Sequence, residues 1–443
     1  MHGSRRKMKV VCMVAMVNIF LFIMLTRSGG QNKGADSKVH VPSKRFWAKM
    51  APSSAFWNRE QQKLDLLNNP VVTNSTGGGG AVSPGVDGVS SSSSSSDGGA
   101  GAGAVTGGLL PLPFERLPDW LNDTAGLVEE SCEPDGRVAT QIKDFGQLPP
   151  RFKDFLTYMR CRSYRMAVDQ PHVCGSGGEG GEEGGPFLLL AIKSLAPHFD
   201  RRQAIRESWG RAGRMANRTV ATVFLLGGAT AEDHFPDLSA MLAYENQRHA
   251  DLLQWEYRDT FFNLTVKEVL FLDWLRTRCP GAQFVFKGDD DVFVNTPRIL
   301  DFLKGLPAEK ARDLFVGDVI TNAGPHRDKR VKYFIPESMF VGVYPPYAGG
   351  GGYLYSGDLA RRLLAASHRV ALYPIDDVYT GMCLRKLGLA PEKHKGFRTF
   401  DIEEKLRNNP CTYKAIMLVH PRTPQDMIKI WGWITDPKLK CAN

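Results

Sequence analysis

The sequence predicts an α/β domain in which a mostly parallel central sheet is covered by helices on both faces. Short apolar runs, typical of strands buried on both sides, occur at 187–192, 220–226 and 284–286, and only Thr222 in the second run is polar. Longer segments with a helical pattern separate these runs. Three consecutive aspartates, 289–291, follow the last run almost directly. In open α/β sheets, ligands bind outside the carboxyl ends of the strands, so this position suggests a binding site.

The first part of the 443-residue chain has a composition unlike that of this domain. We assign residues 1–7 to a cytoplasmic tip, 8–26 to a transmembrane signal anchor and 27–131 to a lumenal stem. Basic residues precede the apolar run, an order that keeps the amino terminus in the cytoplasm and sends the rest across the membrane. A cleaved signal peptide is the alternative, but no Ala-x-Ala-like site follows closely.

Within the stem, residues 76–108 consist mainly of Gly, Ser and Ala, including a serine run at 90–96. Such a segment buries too little apolar surface to offset its ordering entropy, so we expect a disordered linker. Its simplest use is as a tether that holds the folded domain away from a membrane.

Sequons and cysteines agree with a lumenal location. Four Asn-x-Ser/Thr sequons, the acceptors of N-linked glycans in secreted chains, begin at Asn74, Asn122, Asn217 and Asn263. Seven of the eight cysteines follow the anchor and allow at most three disulfides. No Cys-x-x-Cys pair occurs, so a structural zinc site is not expected. The net charge of +9 forms no long basic stripe with interleaved aromatic residues, which disfavours nucleic-acid binding.

From residue 132 onward the sequence predicts folded structure. We divide it into a cysteine-containing subdomain with a Gly-rich loop, 132–185, and a core, 186–443. Strands and helices alternate through the first part of the core. In order they are strand 187–192, helix 200–209, strand 220–226, helix 236–247, strand 252–255, helix 263–278, strand 284–286 and strand 314–316.

The aspartate triplet is the strongest candidate site. Adjacent carboxylates raise one another's pKa, so three of them need a cation or strong donors nearby. Carboxylate oxygens suit hard cations such as Mg²⁺ or Mn²⁺, which complete their shell with water and substrate phosphates. A solvated acidic turn is the alternative. The apolar run at 292–294 resumes at once, and this favours a pinned and functional position.

Three later features are weaker candidates on local pattern alone. Four consecutive glycines, 349–352, suggest close approach of a ligand or of another backbone, or else a surface loop. Asp376 and Asp377 precede a helical run that ends at Gly388, where an ordinary helix cap is the simpler interpretation. His420 follows an apolar run, and a lone histidine there is more often packed than metal-bound.

Four motifs in this order resemble the β-1,3-glycosyltransferases of the Golgi. They are Arg202-Gln-Ala-Ile-Arg-Glu-Ser-Trp-Gly210, Phe286-Lys-Gly-Asp-Asp-Asp-Val-Phe293, Tyr347-Ala-Gly-Gly-Gly-Gly-Tyr353 and Asp376-Asp-Val-Tyr-Thr-Gly381. The resemblance covers roughly residues 132–441. It implies a single catalytic domain of the nucleotide-sugar transferase (GT-A) type, located in the Golgi lumen. Two further segments, at 151–156 and 324–329, resemble an individual member that transfers N-acetylglucosamine (GlcNAc).

The resemblance also implies a role for each candidate residue. Asp377 would be the general base, and Asp291 and His420 would ligate Mn²⁺ or Mg²⁺. The implied donor-binding residues are Arg202, Arg206, Asp289, Asp290, Gly350 and Gly351.

The implied reaction moves GlcNAc from UDP-GlcNAc to the 3-hydroxyl of a terminal β-galactose, with inversion, and extends poly-N-acetyllactosamine. The acceptors would be glycans on glycoproteins or glycolipids, and association with itself or with other glycosyltransferases is compatible with the family. A β-1,3-galactosyltransferase using UDP-Gal is the first alternative. An inactive member acting as a lectin or chaperone is the second, although all the candidate catalytic residues are present.

Overall fold

The computed structural model describes residues 54–68, 132–175, 185–228 and 236–441. The predicted tip, membrane anchor and Gly/Ser linker lie outside these residues, as do the sequons at Asn74 and Asn122. No helix within the described residues is both long and apolar enough to cross a membrane. The described residues belong to one compact unit.

The main sheet has nine strands and provides the frame for the site. Its strands are β1 (Met166–Val168), β2 (Leu188–Lys193), β3 (Gly213–Met215), β4 (Arg218–Gly228), β5 (Leu252–Arg258), β6 (Phe284–Asp289), β8 (Phe315–Gly317), β11 (Gly352–Ser356) and β12 (Glu392–Lys393). Two small sheets use the remaining short strands β7 (Phe293–Val294), β9 (Val319–Ile320), β10 (Tyr347–Ala348), β13 (Phe397–Arg398) and β14 (Leu418–Val419).

Twelve α-helices occur in the described residues. They are α1 (Phe56–Asn68), α2 (Val138–Gln141), α3 (Pro150–Thr157), α4 (Phe199–Glu207), α5 (Ser239–His249), α6 (Leu264–Arg278), α7 (Thr296–Lys304), α8 (Ala308–Arg312), α9 (Gly357–Ser367), α10 (Asp376–Lys386), α11 (Pro410–Ala415) and α12 (Pro424–Thr435). Short 3₁₀ turns occur at Phe145–Gln147, Phe261–Asn263 and Glu404–Leu406.

The sheet is mixed, with a parallel centre. Strands β5, β4, β2 and β6 are parallel neighbours, as the alternating pattern predicts. Strand β11 is antiparallel to both β6 and β8, and β1 and β3 pair antiparallel with the other side of the sheet. The prediction of a mostly parallel sheet therefore holds for the centre and for the edge pair β8 and β12. It does not hold for β1, β3 and β11, and β11 is antiparallel because it follows the segment 318–351 and not a crossover helix.

Apolar residues cover both faces of this sheet, as the sequence predicts. Along β2, Leu189 and Ala191 join one buried cluster, while Leu188, Leu190 and Ile192 join the other. Helices α6, α9 and α10 contribute to the first cluster, and α4, α7 and α12 to the second. The alternation follows from the two-residue period of a strand, which sends successive side chains to opposite faces.

The segments before the core pack against it. Phe152 and Phe155 of α3 lie in the same buried cluster as β2 and α6, and the disulfide between Cys174 and Cys279 joins this region to the end of α6. A second disulfide, between Cys411 and Cys441, closes the carboxyl-terminal segment. Helix α1, which lies within the predicted stem, also joins this cluster through two aromatic residues.

Candidate active site

The aspartate triplet lies at the carboxyl end of β6, as the sequence predicts. Asp289 is the last residue of the strand and is level with Lys193, the last residue of the parallel neighbour β2. On its other side β6 pairs with β11, where Gly288 is opposite Gly352. This pairing carries the glycine run to the edge of the sheet where the aspartates lie.

A buried lysine connects the triplet to the amino end of α10. Nζ of Lys193 lies 2.9 Å from Oδ1 of Asp289 and donates to Oδ2 of Asp376 at 2.8 Å. Burial alone would lower the pKa of Lys193, but the two carboxylates raise it well above its ordinary value. Burial would likewise raise the pKa of Asp376, and Lys193 reverses this so that the pKa is lowered. Lys193 is therefore a protonated cation at the centre of the acidic cluster.

Asp290 contacts a different set of residues, on the side of the site away from Lys193. One of its carboxylate oxygens lies 2.7 Å from both Oγ of Ser194 and Nδ1 of His198, and the other accepts from Nη1 of Arg201 at 2.8 Å. Burial would raise the pKa of Asp290, but these hydrogen bonds outweigh it and the pKa is lowered. Because both of its oxygens accept hydrogen bonds within the protein, Asp290 positions Arg201 and His198. It is a poor candidate for direct contact with a donor substrate.

The structure places the two arginines chosen from the sequence, Arg202 and Arg206, in ion pairs away from the aspartates. Arg202 is fully buried, and it donates from Nε and both terminal nitrogens to Glu245, Ser194 and two main-chain carbonyls. Arg206 pairs with Glu245 and with Asp251. Neither arginine has a donor facing the aspartates, because the helical turn sends both into the core. Arg201 faces the site instead, with Nη1 3.5 Å from Oδ2 of Asp291.

Asp291 and His420 approach each other across the cleft. Nε2 of His420 lies 3.6 Å from Oδ1 of Asp291, and that oxygen is buried without a hydrogen-bond partner. Nδ1 of His420 lies 2.9 Å from the carbonyl oxygen of Thr399, which can only accept, so Nδ1 donates there and Nε2 is the ring nitrogen that faces Asp291. No set of three or more metal-ligating side chains is found among the described residues. This pair fits a hard cation that takes its remaining ligands from water and a substrate.

Asp377 is the second residue of α10 and its environment differs from that of its neighbour. Asp377 is half-buried, and its Oδ1 is buried without a hydrogen-bond partner. Burial, reinforced by the adjacent charge of Asp376, raises the pKa of Asp377 well above its ordinary value. The position at a helix amino terminus does not outweigh this desolvation. The residue before the helix, Ile375, makes no side-chain cap, so neither aspartate acts as the cap.

The glycine run lies against the candidate base and the candidate metal ligand. A Cβ atom on Gly350 would lie 2.7 Å from Oδ2 of Asp377, and one on Gly351 would lie 3.0 Å from Cβ of His420. The sequence pointed to close approach of a ligand or of another backbone. In the structure the approaching atoms belong to the protein, and the absence of a Cβ at Gly350 and Gly351 leaves space for Asp377 and His420 respectively.

A cavity of about 650 Å³ opens beside Asp291. Its lining includes the aromatic side chains of Tyr413 and Trp433 and a mixture of basic and acidic side chains, among them Arg201, Asp401 and Asp426. The size and the aromatic side chains suit a small ligand with a planar ring. The sequence analysis missed four residues of the site: Lys193, Ser194, His198 and Arg201. The first two could have been inferred, because they lie at the end of β2, which ends beside β6.

The two described sequons differ in exposure. Asn217 is exposed, in a turn between β3 and β4. Asn263 is 8% exposed, and its side-chain nitrogen donates to the carbonyl oxygen of Arg258. Because a glycan would have to be attached to that nitrogen, this environment supports Asn217 and disfavours Asn263.

With the site in view, known proteins supply an independent comparison. The family model described as Galactosyltransferase matches residues 200–395. The chain is 52% identical to the N-acetyllactosaminide beta-1,3-N-acetylglucosaminyltransferase 2 of Mus musculus and 51% identical to that of Homo sapiens, over the full length of each pair. It is 44% identical to the N-acetyllactosaminide beta-1,3-N-acetylglucosaminyltransferase 4 of Homo sapiens over 74% of this chain and 83% of that protein.

Proposed function

Because this chain belongs to the family of β-1,3-N-acetylglucosaminyltransferases, we propose that it transfers GlcNAc from UDP-GlcNAc to the 3-hydroxyl of a terminal β-galactose. The full-length similarity to two such enzymes supports the choice of sugar and linkage. The resemblance noted in the sequence is thereby confirmed, both for the family and for the individual member indicated by segments 151–156 and 324–329.

The observation that carries the mechanism is the state of Asp377. A carboxylate with a raised pKa and one buried, unpartnered oxygen is a stronger proton acceptor than a fully solvated one. We assign it the role of general base toward the acceptor hydroxyl. Gly350 supports this role, because any side chain there would occupy the space beside Oδ2 of Asp377.

The reaction is then a single displacement. The acceptor 3-oxygen forms a bond to the anomeric carbon of the donor while the bond from that carbon to the diphosphate oxygen breaks. The acceptor proton passes to Asp377, and UDP leaves with the electron pair of the broken bond. Attack opposite the leaving group converts the α-linked donor into a β-linked product, as in other inverting sugar transfers that use one carboxylate base.

On the opposite side of the site the leaving diphosphate needs positive charge. We assign Asp291 and His420 as the residues that would hold Mn²⁺ or Mg²⁺, which supplies Lewis-acid stabilisation of that charge. Arg201 is the protein's own cation on this side, held by Asp290. The cavity lined by Arg201, Tyr413 and Trp433 is the proposed nucleotide position.

The location and the natural acceptors also belong to this proposal. The basic and apolar amino-terminal sequence supports a type II Golgi membrane protein whose catalytic domain is lumenal. Galactose-terminated glycans on glycoproteins or glycolipids would be the acceptors, and repeated action with a galactosyltransferase would extend poly-N-acetyllactosamine.

A donor and acceptor panel tests the function. The purified protein is incubated with UDP-GlcNAc or UDP-Gal and a galactose-terminated acceptor, and the products are identified by mass and linkage analysis. We expect a β-1,3-linked GlcNAc product, formed in the presence of Mn²⁺. Preferential galactose transfer would replace the donor assignment. Specific glycan binding with no transfer of either sugar would favour the lectin alternative.

A further inference from the structure

Helix α1 is docked onto the catalytic unit although it precedes the Gly/Ser-rich linker in sequence. Trp57 is 1% exposed, and its Nε1 donates to the carbonyl oxygen of Ala371 at 3.0 Å. Its ring packs edge-on against Phe340 and Tyr373, with centroid distances of 5.4 and 5.7 Å. A buried tryptophan with a satisfied N–H is a strong anchor for one element on another.

Polar groups of α1 complete main-chain hydrogen bonding in two loops of the core. Asn58 accepts from the backbone N–H of Val341 at 3.0 Å and donates to the carbonyl oxygen of the same residue at 2.9 Å. Gln61 accepts from the N–H of Ala371 at 2.9 Å and donates to the carbonyl oxygen of Arg369 at 3.0 Å. Dissociation of α1 would leave these buried or half-buried main-chain groups without hydrogen-bond partners, and this loss is energetically unfavourable.

Backbone and ionic contacts extend the attachment along the helix. The N–H groups of Phe56 and Trp57 donate to the carbonyl oxygens of Ser338 and Met339, each at 2.8 Å. Farther along, Asp65 lies 2.5 Å from Lys386, the last residue of α10. The attachment therefore combines apolar burial, directional hydrogen bonds and charge over the length of the helix.

We propose that α1 is an intramolecular clasp, defined as Phe56–Asn68 bound to the segments 338–341 and 369–371 and to Lys386. Both α1 and residue 132 belong to the same compact unit, so the contacts of α1 would hold it on that unit without a covalent link through residues 69–131. A chain cut between 69 and 131 stays assembled.

Site-specific cleavage of the full chain tests the clasp. The recognition sequence of a selective protease is inserted between Gly101 and Ala102 in a chain with an amino-terminal affinity tag, purified in mild detergent. After cleavage the tag is captured and the carboxyl-terminal fragment is quantified. We expect this fragment to remain with the tag. Insertion of the same site between Gly34 and Ala35, before the clasp, should release it.

Variants separate the clasp from other contacts. The pair Trp57→Ala and Gln61→Ala should lose co-capture after cleavage at 101, whereas Leu66→Ala, on the exposed side of α1, should retain it. Release of the fragment from the otherwise unchanged protein would overturn the proposal, as would full retention in the double variant. Thermal unfolding before cleavage identifies a variant that has not folded.

If the double variant does not fold, Asn58→Ala provides the decisive measurement. It removes only the two hydrogen bonds to Val341 and should shorten the time for which the cleaved fragments stay together. An unchanged dissociation rate would contradict the clasp. Because the readout is physical retention and not sugar transfer, its failure is distinguishable from failure of the proposed function.

Discussion

Replacing Lys193 with methionine should destabilise the fold strongly at neutral pH. The lysine lies between Asp289 and Asp376 at 2.9 and 2.8 Å, and its side chain is almost fully buried. At an effective dielectric constant of about 20, each contact contributes about 6 kcal/mol of attraction. Desolvation of the buried ions offsets most of this gain, so the expected net loss is the roughly 3–5 kcal/mol seen when one partner of a buried pair is removed.

The loss should depend on pH in a defined direction. Because the folded pKa of Asp376 is lowered, its pairing stabilises the fold above the unfolded pKa of about 4, and this stabilisation is lost as the pH falls through the folded pKa. In Lys193→Met, Asp376 has no cation and must be buried charged or take up a proton on folding. The difference in stability between the variant and the unchanged protein should therefore be large at pH 7 and shrink below about pH 4.

Urea unfolding of both proteins at several pH values measures this difference. Lys393→Met is the matched control, since Lys393 is an exposed lysine 3.3 Å from Asp318 and should change the free energy of unfolding by no more than about 1 kcal/mol. A loss below about 1 kcal/mol for Lys193→Met, or a loss that is the same at pH 3.5 and pH 7, would refute the assignment of Lys193 as the cation that holds the acidic cluster together.

Three further predictions concern catalysis. Asp377→Asn should retain UDP binding and lower kcat about 10²- to 10⁴-fold. The variant should not lose stability, because the substitution removes a carboxylate whose charge is poorly compensated. A near-normal kcat would exclude Asp377 as the base. His420→Ala should weaken Mn²⁺ binding measured by calorimetry in the presence of UDP by about tenfold or more, and undiminished activity in excess EDTA would exclude the metal role. Gly350→Ala should lower kcat, because the new Cβ would lie 2.7 Å from Oδ2 of Asp377. Gly432→Ala is the control: it lies within α12 with open space around it, and it should leave kcat unchanged and stabilise the fold by up to about 1 kcal/mol. Equal kinetics for the two variants would contradict the close approach at Gly350.

Local sequence pattern was sufficient to predict those strands whose own residues form a recognisable apolar run. The apolar runs at β2, β4 and β6 predicted buried parallel strands, and the position of the triplet followed from the end of β6. Pattern did not distinguish Arg201 from Arg202. The two are adjacent on α4, and which one faces the core depends on where the helix packs against Glu245, some forty residues later.

Helix α1 shows the same limit at longer range. Its aromatic residues indicated partial order within the stem, but its partners lie in the loops at 338–341 and 369–371, about 300 residues farther along the chain. A segment next to a Gly/Ser-rich stretch is naturally assigned to the same linker. Sequence periodicity does not predict contacts of this kind, because neither loop has a regular pattern that would indicate a docking surface.

The division of roles between Asp376 and Asp377 follows from a single lysine. The two residues are neighbours in the first turn of one helix, and the sequence alone gives them similar environments. Lys193 reaches Asp376 and lowers its pKa, while Asp377, half-buried beside that charge and without a partner for Oδ1, has a raised pKa. Pairs of titratable groups pushed apart in this way mark acid–base chemistry. The proposal that Asp377 and not Asp376 is the base therefore rests on the position of Lys193, which β2 places beside Asp376.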